Sequence, residues 1–295
     1  MMTVRGRGVV VVGVDDSPEA REAAHYAAQL ARDRGLDLVV AHAYNLSVVP
    51  PISADVIVAL REDGQNILNK VVSALEAAPS LRVETLLDLN SPILMLRKLT
   101  EVAEVVVLGH HHVGLGERLL LGSIAGPVAA KSRCPVVIVP AGWTPRPSSD
   151  RPVVVALDGE TAGSAALEYA FSEAERTRTS LLALHAMATE TPTEGAEDEV
   201  RIAELLAGWK QDHPDTAVST RVVPGDARDV IVEESDRASV LVVGRPHSGG
   251  RFGSWTWSVA RAVLDGVSCP LVVVPHDRDD SDLGERQTAA LTSSR

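Results

Sequence analysis

The chain repeats itself, and the repeat restricts the architecture more than any other feature. Residues 9–16 read VVVVGVDD and residues 153–159 read VVVALDG; residues 134–140 read CPVVIVP and residues 269–275 read CPLVVVP. Asp15 is answered by Asp158 and His42 by His185, each 143 residues later. Gly109, Ser123 and Cys134 are answered by Gly244, Ser258 and Cys269, each 135 residues later. Two constant offsets, separated by one step of eight residues, mean two copies of one unit, the second shortened between His185 and Gly244. Solenoid periods run about 20–50 residues, so a unit of this length is a duplicated domain. At 295 residues the chain has room for two domains, each with its own core.

Copy one opens on Val9–Val14, a run with no polar side chain, suited to a strand buried on both faces. Ser17 and Pro18 then start a helix over 18–34, which Gly35 stops. Ala20, Ala23, Ala24, Ala27, Ala28 and Ala31 form one smooth face of that helix, able to lie close on a sheet. Further strands are predicted at Leu38–Ala43, Leu81–Leu87, Val105–Leu108 and Val136–Val139, with helices near 53–78 and 92–102 and a fourth after a glycine-bearing loop at 109–122. Copy two repeats the order, with strands near 153–157, 180–185, 217–223, 240–243 and 271–274, and helices near 161–177, 197–212, 226–236 and 254–266. Val-rich strands alternating with amphipathic helices predict an α/β fold, each copy a parallel sheet with helices on both faces. The expected domains are residues 1–140 and 152–275, joined by a Pro- and Ser-rich linker at 141–151. Residues 276–295 lack apolar periodicity and read as a disordered tail. The acidic stretch 189–199 reads as a solvated loop and the start of a helix.

The net charge of −12 and the lack of Lys/Arg clusters exclude a general nucleic-acid binder. The apolar runs are short Val-rich pieces, far below the roughly 20 residues of a membrane span. MMTVRGRG at the start has no signal-peptide pattern, and the two cysteines sit at equivalent positions as small core residues. These features predict a cytoplasmic protein.

Ligands of open parallel sheets bind outside the carboxyl ends of the strands, where strand order reverses. Asp15, the His42–Ala43 pair, the Gly109–Ser123 loop and the residues after strand three fall at such ends. Asp15 has two readings of equal weight: acceptor for a ribose hydroxyl, or turn residue capping the next helix. In GHHHVGLGERLLLGS, residues 109–123, glycines let backbone N–H groups approach an anion. Gly122 and Ser123 would stand at the start of helix four, where unpaired N–H groups favour phosphate. The chain has no Walker-type phosphate loop, no G-x-G-x-x-G after strand one and no G-x-S-x-G elbow. Consecutive His110–His112 point in different directions and do not make a metal site.

The aspartate after strand one, the glycine loop and the closing CPVVIVP strand, present twice, resemble the universal stress protein family over about residues 8–140 and 152–275. The tandem layout and the segment LAGWKQDHPDTAVSTRVV, 206–223, are similar to its two-domain actinobacterial members. The resemblance implies two tandem Rossmann-like domains, each a five-stranded parallel sheet, and adenine-nucleotide binding, as ATP, with little or no turnover. It implies a ribose contact at Asp15, a backbone contact with adenine at Ala43, and phosphate contacts at Gly109, His112, Gly122, Ser123 and Ile124. The family's loop reads G-x(2)-G-x(9)-G-[ST], and here His112 stands at its middle glycine. In copy two Gly244 and Ser258 match, but His247 and Trp257 replace the other glycines and Glu160 the serine of the usual D-G-S. An indole at a glycine position fills the space a phosphate would use. Copy one is therefore the expected ATP site, and copy two a degenerate one. No general acid–base pair, nucleophile or metal cluster stands out, so the chain is not expected to be an enzyme. A nucleotide-independent scaffold is the alternative. Val136–Val139 and Leu271–Val274 are expected to pair within one chain, covering two edges that would otherwise invite aggregation. A further homodimer is left open.

Overall fold

The computed structural model describes residues 8–44, 53–75, 81–110, 124–145, 151–157, 164–187, 192–245 and 266–275. In half one the order is β1 (Val9–Gly13), α1 (Pro18–Arg34), β2 (Asp37–Ala43), α2 (Ala54–Leu75), β3 (Val83–Asp88), α3 (Pro92–Leu99), β4 (Val105–His110), α4 (Ala125–Ala129) and β5 (Val136–Pro140). Half two follows with β6 (Val153–Leu157), α5 (Ser164–Thr177), β7 (Leu181–Met187), α6 (Pro192–Asp212), β8 (Val218–Pro224), α7 (Ala227–Ser235), β9 (Val240–Gly244) and β10 (Leu271–Val274). The predicted helix near 254–266 and the tail from 276 lie outside the described residues.

The strands form one ten-stranded sheet in the order β3-β2-β1-β4-β5-β10-β9-β6-β7-β8. Within each half all neighbours are parallel. The strands buried on both faces are the Val-rich ones: Val10, Val11 and Val12 of β1 and Val105, Val106 and Val107 of β4 have no exposed surface. The alanine face of α1 is buried as its spacing requires. Ser17 caps the helix by accepting from the Ala20 N–H at 3.1 Å, and Gly35 ends it at φ 63°. In half two the duplicate of Gly35 is Arg178, at φ 55°. That helix therefore ends in the same left-handed turn without the residue that makes it easy.

The halves meet where β5 and β10 pair antiparallel, with Leu271 opposite Ile138, Val272 opposite Val137 and Val273 opposite Val136. Val137 and Val272 are duplicates of each other, so this pair lies on the pseudo-twofold axis that relates the halves. Core layers run across the seam on both faces: Val137, Val139, Val272 and Val274 on one, Val136, Ile138, Leu271 and Val273 on the other.

Cys134 and Cys269 are free and buried, and burial pushes both thiols up to about 12. In native protein at pH 8 neither thiol is expected to react with Ellman's reagent faster than the chain unfolds, and both should react in denaturant. Prompt labelling of the native chain would contradict their burial. A thiol whose folded value is raised contributes stability below its unfolded value. That contribution is lost as pH rises above about 8.5.

Candidate functional site

In half one the strand order 3-2-1-4-5 reverses between β1 and β4, and their carboxyl ends diverge there. A cleft of about 110 Å³ opens at this point. Its walls come from Asp15 and Ser17 after β1, His42 and Ala43 at the end of β2, Gly109 in β4, Ile124 and Ala125, and Pro92, Met95 and Leu96 of α3. Of the predicted site residues, Asp15, Ala43, Gly109 and Ile124 thus come together. His112, Gly122 and Ser123 lie outside the described residues, as do Asp158, His247, Trp257 and Ser258 of half two.

Each wall has a local cause. His42 is buried, and its Nδ1–H donates to the Val14 carbonyl at 2.7 Å, bolting the end of β2 to the residue before Asp15. The same bolt recurs in half two, from His185 Nδ1 to the Leu157 carbonyl at 2.9 Å. Ala43 and Asp15 are thereby both brought to the wall of the cleft. Asp15 is exposed, and its Oδ1 accepts from both the backbone N–H and the hydroxyl of Ser17, at 3.0 and 2.5 Å. One carboxylate oxygen thus serves the turn that starts α1, which is the capping reading of this residue. Next to it, Asp16 pairs with Lys70 of α2 at 3.3 Å.

Gly109 has a different cause from the one its loop position suggests. A Cβ there would lie 2.6 Å from the Glu19 carbonyl oxygen and 3.0 Å from the Ala20 nitrogen. The first turn of α1 rests directly on β4, and only glycine leaves room for it. A Cβ on Gly244 would, among the described residues, touch the Ala166 Cβ at 3.7 Å. The predicted start of helix four is likewise modest: α4 is five residues long, so its dipole adds little to anion binding.

The residues after β3 supply a wall that the sequence marked only by position. Asp88 closes the turn by accepting the Asn90 N–H at 2.9 Å. Pro92 then starts α3, whose buried Met95 and Leu96 face the cleft. Their spacing of three and four residues from Pro92 was the available signal.

The corresponding end of half two is built differently. α6 begins at Pro192, five residues before its predicted start, and Asp198 turns inward to stand 3.4 Å from His185 Nε2. The acidic stretch is thus not wholly solvated. Arg245, which follows Gly244, leaves its own half and donates to the Ser132 carbonyl of half one at 2.6 Å. Among the described residues no group of three or more His, Cys, Asp or Glu could hold a metal, and no helix is long and apolar enough to cross a membrane.

The universal stress protein family model matches residues 7–140 and again residues 151–275. A universal stress protein of Mycobacterium tuberculosis is 33% identical over 282 residues, covering 90% of this chain and 96% of that protein. A second one from the same organism is 30% identical over 293 residues, covering 90% and 95%. The crystal structure of a universal stress protein from Archaeoglobus fulgidus shares the fold, with a TM-score of 0.72 at 19% identity, covering 91% of this chain and 96% of that one. Two matched domains, relatives covered over at least 95% of their length and a shared sheet architecture agree: the chain belongs to the universal stress protein family and carries its domain twice.

Proposed function

We propose that half one holds an adenine nucleotide such as ATP, and that half two is its permanent partner, in a regulatory protein that binds the nucleotide without turning it over. The observation that carries this reading is the convergence of Asp15, Ala43, Gly109 and Ile124 on one cleft at the reversal of strand order. The adenine base would lie between Ala43 and the α3 wall. The oxygen of Asp15 not used by Ser17 is the acceptor for a ribose hydroxyl. Backbone N–H groups at Gly109 and Ile124 would meet phosphate. The two buried free thiols fit a reducing, cytoplasmic setting. The antiparallel ladder between β5 and β10 is what supports permanent pairing of the halves.

One observation favours the alternative, a nucleotide-independent scaffold. A cleft of about 110 Å³ is well below the roughly 300–1,000 Å³ of ordinary ligand pockets. Titration calorimetry with ATP decides between the two readings when wild type is compared with Asp15→Asn. Asparagine keeps the carbonyl oxygen that Ser17 needs and removes the second acceptor. Binding should weaken at least about tenfold, the worth of a hydrogen bond to a charged group, with no change in unfolding midpoint. No heat from folded wild type at millimolar ATP would establish the scaffold instead.

A further inference from the structure

The seam between the halves does not choose its partner. β5 reads VVIV and β10 reads LVVV over the paired residues, and Val137 meets its own duplicate Val272 on the pseudo-twofold axis. Two copies of β5, or two of β10, would pair across the same axis about as well. Any preference of one half for the other must come from elsewhere.

The first helices of the two halves cross the same axis. Asp33 of α1 accepts from Arg176 of α5 at 3.0 Å, and these two residues are again duplicates, 143 apart. Beside them Arg34 reaches across to Glu173 at 3.3 Å and to the Tyr169 hydroxyl at 3.1 Å. The Glu173 side chain is only 5% exposed and also receives its own helix's Arg176. The duplicates of Glu173 and Arg34 are Leu30 and Thr177. Duplicated positions have therefore diverged to opposite or complementary character.

We propose that this divergence is a pairing code, by which half one accepts half two and rejects a second copy of itself, and half two does the same. Two half-ones on this axis would set Asp33 against Asp33. They would also set Arg34 against Leu30 in place of Glu173, leaving it the half-exposed Glu104 of its own half at 3.4 Å. Two half-twos would set Arg176 against Arg176 and leave Glu173 facing Thr177. Both like pairs bring equal charges together and take from a buried charge its partner across the seam, which costs more than an exposed pair contributes. Arg245, with its bond to Ser132 of the other half, adds a contact that a pair of half-ones would lack. The inference rests on the pairing of the halves proposed above and is independent of the nucleotide.

The test uses the full folded chain, cut at a protease site placed across residues 146–150 and examined by native mass spectrometry. The halves differ in mass, so each kind of pair is identified directly. Only one-to-one pairs of unlike halves are expected. Asp33→Arg should raise the dissociation constant of the cut pair about tenfold or more, as should Arg176→Asp, and the double reversal should return it to within about threefold of wild type. Like pairs in statistical proportion, or a double reversal as weak as the two single changes combined, would overturn the code. Halves that separate without pairing at all would overturn the pairing on which it rests.

Discussion

Gly109→Ala is expected to cost about 3 kcal/mol of folding stability, while Gly208→Ala, at an exposed position of α6, does not lower it. At Gly109 the added methyl would enter the backbone of α1, 2.6 Å from the Glu19 carbonyl oxygen and 2.7 Å from its carbon. That backbone cannot move cheaply. It lies in the first turn, fixed by Pro18 and the Ser17 cap, and its alanine face is packed on the sheet. At Gly208, exposed on α6, no described atom lies within 4 Å of the added methyl. Replacing a helical glycine there even favours the helix, by about 0.5–1 kcal/mol. Urea unfolding of the two variants side by side measures the contrast. Equal losses would mean that α1 does not rest on β4 as described. The prediction also bears on function. The glycine that half one shares with its family's loop is needed first for helix packing. Retention of a glycine here is therefore not by itself a sign of phosphate binding.

The second large effect is expected at the seam. Val137→Lys should cost about 4 kcal/mol or more and separate the halves, because it puts an ammonium group at a position with no exposed surface. Val137 lies on the pseudo-twofold axis opposite Val272, inside the layer that joins the two cores. Val102→Lys is the control: that side chain is 53% exposed, so the same charge should change stability by less than about 0.5 kcal/mol. Small-angle scattering should show the Val137 variant as a wider particle, its halves joined only by the linker. An unchanged profile with an unchanged unfolding midpoint would contradict a continuous sheet.

Much of this molecule can be read from the sequence because its local signals agree with one another. Val10–Val12 and Val153–Val155 read as two-sided strands since no polar side chain interrupts them, and the structure buries them fully. Ser17, Pro18 and Gly35 bracket α1 because capping and stopping depend on neighbouring residues alone. The helix start at Pro192 was hidden because acidic residues suit a first helical turn and a solvated loop equally well. The same ambiguity hid Asp198, whose inward turn toward His185 depends on a partner thirteen residues earlier. At Asp15 the turn-capping hydrogen bonds are local and observable in the fold, whereas the ribose role depends on a ligand. The packing reason for Gly109 required knowing which helix turn lies over which strand. The duplication identifies Asp33 and Arg176 as equivalent positions. It does not reveal that equivalent positions touch, because that follows only from where the symmetry axis falls.

We propose that one domain, duplicated, has become two unequal halves with the nucleotide in the first. Photolabelling tests it most directly. The folded full chain is equilibrated with an azido-adenosine triphosphate, irradiated, digested and mapped by mass spectrometry, with unmodified ATP as competitor. The expected result is competable label confined to peptides from residues 8–140. Competable label of equal yield in peptides from residues 152–275 would contradict it, and the two halves would then be equivalent nucleotide sites after all.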